Sequence, residues 1–313
     1  MQTRLWSLLL PLFLSGFPLA AQEVELVPVA GGPAVAWMRE PFTGMDFTPQ
    51  AVALVRYLPS GPIAQVFDLT TGAVSDFIRP APILERGAPV LRWGRDGRRY
   101  LGYRDGSRFR ILQGDARGER LADVEVGVAV LDFDVDEAGH IYVIGPGLRQ
   151  DDTADKLVHA FRGSTRLWSA GAAEEFGLSS GRGMHLGPRD WYHVWVRGDR
   201  IYAVAKDRWA VFSSEGEVLA RGRFLLSSPD HGAGAVDFMP GIGWLVVERE
   251  FAGVPGVFPV PPSRLLLYDD QGRRVGEWPT PGTVLRLRDG QALVRMPDGW
   301  RVMQVRWRLR LAQ

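Results

Sequence analysis

The chain has 313 residues, 46% of them hydrophobic, and its 37 basic side chains nearly balance 36 acidic ones, for a net charge of +1 at pH 7. This balance gives no large field of one sign, so neither a nucleic acid nor an anionic membrane is expected as a partner. Cysteine is absent, which excludes a disulfide framework, a cysteine metal cluster and a lipid-modified cysteine. Burial of apolar side chains must therefore hold the fold together.

The first 21 residues have the three-part layout of a secretory signal peptide. Arg4 gives a basic start, residues 5–17 form an apolar run, and the small residues Ala20 and Ala21 precede the polar Gln22. The apolar run is short for a bilayer span. The sequence therefore predicts cleavage after Ala21 and a secreted or periplasmic mature protein without a membrane span.

After this start, helical periodicity is almost absent and a repeating pattern of strands begins. Similar stretches start at Val90, Val130, Trp191, Ala235 and Val284, and each combines short β-branched and aromatic runs with turns such as "RDG", "DEAG" and "DQG". A more diverged first copy is assembled from "PAVAWM", "QAVALVRYL", "IAQVFDL" and "AVSDFIR". Self-similar units of roughly 40 to 60 residues with four strands each are typical of a β-propeller.

The two ends of the chain predict how such a ring closes. The last copy has three clear strands, at residues 283–287, 291–296 and 300–309, whereas the strand "EVELVPV" at residues 23–29 precedes the first copy. Pairing this N-terminal strand with the last copy would remove an exposed sheet edge. We therefore predict an all-β, six-bladed propeller of four-stranded antiparallel blades, one domain over residues 22–313, closed by its N-terminal strand.

The stretch "VLDFDVDEAGHIYVIGPG", which starts at Val130, is the clearest copy. Its strand, D-x-x-G turn and "IYV" strand resemble the blades of six-bladed propellers of the NHL-repeat and TolB-like type. The resemblance implies the architecture over nearly all of the mature chain. It implies no single activity, because such propellers include lactonases, lyases, receptor modules and interaction scaffolds.

Three aspartates alternate in this stretch, Asp132, Asp134 and Asp136, as they do in some metal loops. A calcium loop of the EF-hand type that starts at Asp132 needs glycine at its sixth position and a carboxylate at its twelfth, where the chain has Glu137 and Val143. A period of two fits better, because it places the three aspartates on one strand face. The sequence therefore predicts a strand and turn here rather than a calcium loop, with only Asp132 as a candidate site residue.

Alignment of the first strand of each copy singles out Asp132, because five of the six equivalent positions are polar. The aligned positions are Ala36, Arg92, Asp132, His193, Asp237 and Arg286. In a propeller they converge near the axis, so we expect Arg92 beside Asp132, Asp237 beside Arg286, and His193 as an imidazolium between the two aspartates. Buried charges persist only when they are paired or liganded.

This axial ring leaves three interpretations open. The charges form a self-satisfied ring of ion pairs, or Arg92 and Arg286 hold carboxylate or phosphate oxygens of a ligand whose hydroxyls bind the aspartates. Alternatively, Asp132, His193 and Asp237 ligate a divalent cation or carry a proton. No cofactor is expected, with a divalent cation at these three residues as the alternative.

The long insertions all fall in the second-to-third and fourth-to-first loops, which share one face of the ring. Such loops on a rigid scaffold are where binding residues tend to lie, and the candidates there are Arg182, His185, Asp230 and His231. Ser227 is near His231, but no nucleophile-elbow pattern surrounds it, so a catalytic triad is not expected.

The sequence thus predicts a monomeric binding module that holds an unknown small molecule or envelope protein through its loop-rich face and polar axial channel. The alternative is a metal-dependent hydrolase or lyase of the propeller-lactonase type, with its site at the axial ring.

Overall fold

The computed structural model describes residues 22–31, 42–84, 89–147, 155–177, 191–250 and 264–309. These residues form 24 strands and one short 3-10 helix, Ala173–Phe176. The strands make six antiparallel four-stranded sheets, which confirms the predicted six-bladed β-propeller. No helix in these ranges is long and apolar enough to cross a membrane.

Each blade is named by its order in the chain, and its strands run from the axis outward. Blade 1 contains β2 (Phe42–Phe47), β3 (Ala51–Leu58), β4 (Gly61–Asp68) and β5 (Val74–Asp76). Blade 2 contains β6 (Val90–Trp93), β7 (Arg99–Asp105), β8 (Arg108–Gly114) and β9 (Arg120–Val126). Blade 3 contains β10 (Asp132–Val135), β11 (Ile141–Ile144), β12 (Lys156–Arg162) and β13 (Thr165–Ala172).

The second half of the ring repeats this layout. Blade 4 contains β14 (Tyr192–Arg197), β15 (Arg200–Ala205), β16 (Arg208–Ser213) and β17 (Val218–Arg223). Blade 5 contains β18 (His231–Met239), β19 (Gly243–Glu250), β20 (Arg264–Tyr268) and β21 (Arg274–Pro279). Blade 6 contains β22 (Thr283–Arg288), β23 (Gln291–Met296), β24 (Gly299–Leu309) and, as its outermost strand, β1 (Gln22–Gly31).

The ring is closed by the N-terminal strand, as predicted. β1 pairs antiparallel with β24, from Gln22 opposite Leu309 to Gly31 opposite Arg301, with one irregularity between Pro28 and Ala30. Because this pairing joins the two ends of the chain within one sheet, it covers the edge of β24 that would otherwise be open to other strands.

The inner strand of blade 1 differs from the prediction. It is β2, which pairs with β3, whereas the predicted stretch at residues 33–38, with Ala36, lies outside the described residues. The segment at residues 33–38 is the more apolar of the two, but an inner strand carries polar residues along its axial edge. The dipeptide Asp46–Phe47 of β2 matches the inner strands of blades 3 and 5, which have Asp132–Phe133 and Asp237–Phe238.

The core is divided into six apolar clusters, one at each interface between successive blades. On β11, Ile141 and Val143 pack against blade 2, whereas Tyr142 and Ile144 pack against blade 4. Both faces of this strand are therefore buried, which explains why its sequence is a continuous apolar run rather than an alternating one.

The inner strands have backbone groups at the axis that no neighbouring strand pairs. Each inner strand is hydrogen-bonded to a neighbour on one side only, since it is the terminal strand of its sheet. Its other edge faces the axis and presents backbone N–H and C=O groups that no strand pairs. Polar side chains near the axis have to satisfy these groups wherever water does not.

Candidate functional site

The polar side chains at the axis alternate in sign from blade to blade. Odd-numbered blades contribute aspartates, and even-numbered blades contribute arginines or a histidine. In ring order they are Asp46, Arg92, Asp132 with Asp134, His193 with Arg197, Asp237, and Arg286 with Arg288. The five polar positions predicted from the sequence all lie on inner strands, and Asp46 takes the place that the alignment assigned to Ala36.

The aspartates accept hydrogen bonds from the backbone of the next blade. In each case the Oδ2 atom on an odd-numbered blade accepts an amide N–H from an even-numbered blade. The pairs are Asp46 with Trp93 (2.7 Å), Asp132 with Val194 (3.2 Å), Asp134 with Val196 (3.0 Å) and Asp237 with Gly290 (2.8 Å). These carboxylates therefore supply acceptors for amides on the axial edge.

The cationic and imidazole side chains do the converse and donate to backbone carbonyls of other blades. The bonds are Arg92 Nε to Phe133 O (2.7 Å), His193 Nε2 to Ala233 O (2.7 Å), Arg95 Nε to Val196 O (2.7 Å) and Arg288 Nη2 to Trp93 O (2.6 Å). Arg197 donates to Phe238 O in the same way. The axial charges thus satisfy the open strand edges and join the blades to one another.

The same side chains form ion pairs. Arg92 and Asp132 are in direct contact, both nearly fully buried, as the sequence predicted. Asp237, however, pairs with Arg197 (Oδ1–Nη2 3.1 Å) and not with Arg286. The predicted pairing was wrong because Asp46 was missing from the aligned ring, and it is Asp46 that lies 3.2 Å from Arg286 Nε.

Asp46 is the acid with the most cationic contacts in the inner ring. It is fully buried and its Oδ2 atom also accepts a hydrogen bond from Arg288 Nη1 at 2.6 Å. Burial alone would raise the pKa of Asp46, but the guanidinium groups of Arg288, Arg286 and Arg92 outweigh it and hold this pKa below its usual value. Asp46 is therefore ionised in the folded protein.

Two other axial acids have pKa values shifted in the opposite direction. Burial raises the pKa of Asp237 to about 6, although Arg197 and the Gly290 amide act against it. Burial also raises the pKa of Asp134, whose nearest guanidinium, that of Arg288, is 4.0 Å away. The weaker ion pairing of these two carboxylates leaves the cost of burial dominant.

His193 does not have the charge that the sequence analysis expected. Burial lowers its pKa to about 3, and the positive charges of Arg286, Arg249 and Arg92 act in the same direction. The imidazole of His193 is therefore neutral at pH 7, and its Nε2–H donates a hydrogen bond to Ala233 O. The predicted imidazolium was wrong because burial disfavours the charged imidazole, and because the charges that act on it are those of arginines rather than aspartates.

The site contains residues that the alignment missed, although a period of two indicates some of them. Asp134 lies two residues after Asp132 on the same strand face, and it is as buried as Asp132. Arg288 follows Arg286 by the same spacing. Arg197 is the last residue of β14 and Arg95 lies in the turn after β6, and the length of the arginine side chain brings both to the axis.

A small cavity of about 40 Å³ lies within this ring, lined by Asp134, His193, Asp237, Arg286 and Arg288 among others. This volume holds water molecules, whereas pockets for drug-sized ligands measure about 300–1,000 Å³. Asp134 Oδ1, which lines the cavity, has no hydrogen-bond partner among the described residues. Ordered water is the occupant that matches both the volume and this polar atom.

The donor set does not fit the divalent cation considered for Asp132, His193 and Asp237. Asp132 is bound by Arg92 and by the amides of Phe133 and Val194. In the ranges that the structure describes, no group of three or more His, Asp or Glu side chains is arranged to hold a metal ion. No catalytic step is therefore assigned to a metal at the axis.

At the mouth of the axis formed by the short turns, three arginines surround one carboxylate. Asp289 Oδ1 accepts hydrogen bonds from Arg95 Nη2 and Arg197 Nη2, both at 2.9 Å, and Arg288 Nε lies 3.8 Å from Asp289 Oδ2. Asp289 has a φ of 51° and Gly290 a φ of 73°, as expected for a two-residue Asp-Gly hairpin turn. The side chain of Asp289 is 43% exposed, unlike the aspartates beneath it.

The loop-rich face has a second polar cluster, centred on Glu248. Its carboxylate accepts hydrogen bonds from Ser227 Oγ, from His231 Nδ1 at 3.1 Å and from Tyr268 Oη at 2.9 Å. Although burial alone would raise the pKa of Glu248, these hydrogen bonds hold it below its usual value. In a catalytic triad the serine hydroxyl donates its hydrogen bond to the histidine. Here the hydroxyl of Ser227 donates to the carboxylate of Glu248, so Ser227, His231 and Glu248 do not have the geometry of a triad.

Of the two loop-face candidates that the structure describes, His231 belongs to this cluster and Asp230 does not. Asp230 is exposed, and its backbone amide donates to Ser228 Oγ at 3.3 Å. Arg182 and His185 lie outside the described residues. The hydrogen bond to Glu248 occupies Nδ1 of His231, so Nε2 is the ring nitrogen left to contact a ligand. The side chain of His231 is 27% exposed.

Comparison with known proteins supports the fold. No known family model matches the sequence, and no curated protein matches it. Among solved structures, an exported protein of Bacteroides fragilis NCTC 9343 is 11% identical with a TM-score of 0.56, covering 92% of this chain and 95% of that one. The PQQ-bound aldose sugar dehydrogenase of Streptomyces coelicolor is 10% identical with a TM-score of 0.51, covering 93% and 100%.

TolB of Acinetobacter baumannii is 15% identical with a TM-score of 0.46, covering 86% of this chain and 57% of TolB. At 11% and 10% identity, the likeness to the Bacteroides and Streptomyces structures shows the fold and not the activity. The protein is a six-bladed β-propeller, and it shares this fold with the two solved structures that have TM-scores above 0.5.

Proposed function

We propose that the protein is an extracytoplasmic binding module that holds a ligand or protein partner on its loop-rich face, around His231. The observation that supports this proposal is the contrast between the two polar clusters. The inner axial charges are bonded to each other and to the backbone around a water-sized cavity. The Glu248 cluster, in contrast, orients a partly exposed histidine at the loop-rich end of β18.

His231 is suited to recognition because its geometry is fixed in advance. Three donors converge on Glu248, whose side chain is only 9% exposed, so the carboxylate has little freedom to move. An imidazole oriented by a carboxylate loses little entropy when Nε2 accepts a hydrogen bond from a ligand. The long insertions of the sequence are on the same face, where they can add contacts.

Two observations support a location outside the cytoplasm. The sequence begins with the basic, apolar and small-residue segments of a signal peptide, and cleavage after residue 21 would leave the ring-closing strand β1 intact from Gln22. One structurally similar protein is described as exported. We therefore propose a mature chain of residues 22–313, and the mass of the protein recovered from the envelope fraction tests this cleavage.

Affinity capture with the immobilised mature chain tests the binding function. The bait is wild type, His231→Ala or Asp199→Ala, the last being an exposed carboxylate in a short turn on the opposite face. Envelope extracts and small-molecule fractions are passed over each, and retained molecules are identified and titrated. We expect a ligand whose affinity falls at least about tenfold in His231→Ala and is unchanged in Asp199→Ala.

Two results would overturn the proposal. The first is a ligand that binds His231→Ala, correctly folded by circular dichroism, as tightly as wild type. The second is a divalent cation in the purified protein together with turnover of lactones or esters that is lost on chelation, as the propeller-lactonase alternative requires.

A further inference from the structure

The short-turn mouth of the axis has the features of an anion site, and it differs from the inner ring in its exposure. Arg95, Arg197 and Arg288 have side chains that are 18%, 23% and 17% exposed, and that of Asp289 is 43% exposed. Solvent thus reaches these four residues, whereas Asp46, Arg92 and Asp132 are buried below them.

The three guanidinium groups are held in place without the help of Asp289. Arg95 Nε donates to Val196 O at 2.7 Å, Arg288 Nη2 donates to Trp93 O at 2.6 Å, and Arg197 donates to Phe238 O. They come from blades 2, 4 and 6, so they approach the axis from three sides. Fixed donors that converge on one point are what an oxyanion site requires, because little reorganisation accompanies binding.

We propose that this mouth binds the phosphate group of a phosphorylated ligand, and that Asp289 occupies the site as an internal stand-in for that group. The bound phosphate accepts hydrogen bonds from Arg95, Arg197 and Arg288, and the Asp289 carboxylate turns outward to water. This inference is independent of the proposed function, since it concerns the opposite face and other residues.

The formal charges at the axis favour a dianionic ligand over a monoanionic one at this mouth. The residues joined by ion pairs at the axis are five aspartates, Asp46, Asp132, Asp134, Asp237 and Asp289, and five arginines, Arg92, Arg95, Arg197, Arg286 and Arg288, so their formal charges sum to zero. Withdrawal of Asp289 leaves a formal charge of +1 at the arginines. A phosphate group brings a charge of about −1.5 to −2 at pH 7, more than the single charge that it displaces.

Because the Asp289 carboxylate already occupies the site, we expect the wild-type protein to bind phosphate weakly. Asp289 is tethered beside the arginines at a high effective concentration, so it competes with any ligand in solution. Its removal should therefore tighten binding, which is the reverse of what a substitution at a ligand-contacting residue normally does. This reversal separates a displaced stand-in from a purely structural ion pair.

The test uses inorganic phosphate as the probe, titrated by calorimetry against the mature chain at constant ionic strength maintained with chloride. The first variant is Asp289→Gly, which empties the site and keeps the positive φ of the turn accessible. The second is Asp199→Asn, a matched carboxylate control on another short turn. The third is the double variant Asp289→Gly with Arg95→Gln. We expect Asp289→Gly to bind phosphate at least about tenfold more tightly than wild type, Asp199→Asn to match wild type, and the double variant to lose the gain.

Equal phosphate affinity in wild type and Asp289→Gly would overturn the inference, and so would a double variant that binds as tightly as Asp289→Gly. If Asp289→Gly does not fold, Asp289→Asn serves in its place, because asparagine tolerates the left-handed conformation and removes the competing charge. The same gain and the same dependence on Arg95 are expected of it, and their absence would count equally against the inference.

Discussion

The carboxylate of Asp46 accepts a hydrogen bond from the backbone amide of Trp93, on the inner strand of the neighbouring blade, with an Oδ2–N distance of 2.7 Å. The same relationship recurs from blade 3 to blade 4, and Asp237 of blade 5 accepts in the same way from Gly290, in the turn after the inner strand of blade 6. Because an inner strand has an open edge towards the axis, its amides need acceptors that water does not supply. The aspartates of the odd-numbered blades are those acceptors, and the arginines of the even-numbered blades balance their charge.

Removal of a carboxylate should cost more in the inner ring than at its mouth. Asp46→Asn removes a fully buried carboxylate that pairs with Arg286 and Arg288, so we expect the free energy of unfolding to fall by about 3 kcal/mol or more. Asp289→Asn removes a partly exposed carboxylate, for which a loss below about 1 kcal/mol is expected. Urea denaturation of the two variants beside wild type measures both values, and equal losses would contradict the distinction.

His193 and Asp237 should have opposite effects on the pH dependence of stability. The pKa of His193 is about 3 in the folded protein against 6.5 for a free imidazole, so the unfolded chain binds the extra proton and the free energy of unfolding rises with pH in that interval. The pKa of Asp237 is about 6 against 3.8, so the folded chain binds the extra proton and the free energy of unfolding falls as pH rises. Between about pH 4 and 6 the two contributions offset each other.

Single substitutions should expose each contribution. In His193→Gln the effect of Asp237 remains, so the free energy of unfolding decreases from pH 4 to pH 6 relative to wild type. In Asp237→Asn the effect of His193 remains, and the free energy of unfolding increases over the same interval. Urea denaturation at several pH values in this range checks both slopes. Variant profiles that run parallel to that of wild type would show that neither group titrates as described.

Deletion of the ring-closing strand should destabilise the protein and promote self-association. A chain that begins at residue 32 lacks β1, so the edge of β24 is open to pairing with another molecule. We expect a fall in Tm of at least about 5 °C, since each kcal/mol of lost stability lowers Tm by about 2–4 °C in domains of about 150–250 residues. A chain that begins at Gln22 is the matched control. A monomer with unchanged Tm after the deletion would contradict this role of β1.

The sequence predicts most of the fold because each blade repeats local features that have physical causes. Turn residues and apolar runs recur in every copy, and the missing strand of the last blade matches the unassigned N-terminal strand. The exception is β2, which was not predicted as a strand because it carries polar residues towards the axis. The dipeptide Asp46–Phe47 indicates its register when compared with Asp132–Phe133 and Asp237–Phe238.

The axial site is less predictable than the fold, because its contacts depend on distances across the ring. An alignment identifies Arg92, His193 and Arg286, but it does not show which acid each one faces. Arg197 reaches Asp237 from the end of β14, and Arg95 reaches Asp289 across the axis from another blade. The charge state of His193 follows from these contacts, so it was mispredicted together with them.

A double-mutant cycle on Arg92 and Asp132 tests the central claim, that the alternating charges at the axis stabilise the ring by pairing with one another. The variants Arg92→Met, Asp132→Asn and their combination are compared with wild type by urea denaturation. Each single variant leaves one buried charge without its partner, so a loss of about 3–5 kcal/mol is expected for each. The double variant should lose about 2–3 kcal/mol less than the sum of the two. Losses that add to within about 0.5 kcal/mol would contradict the account.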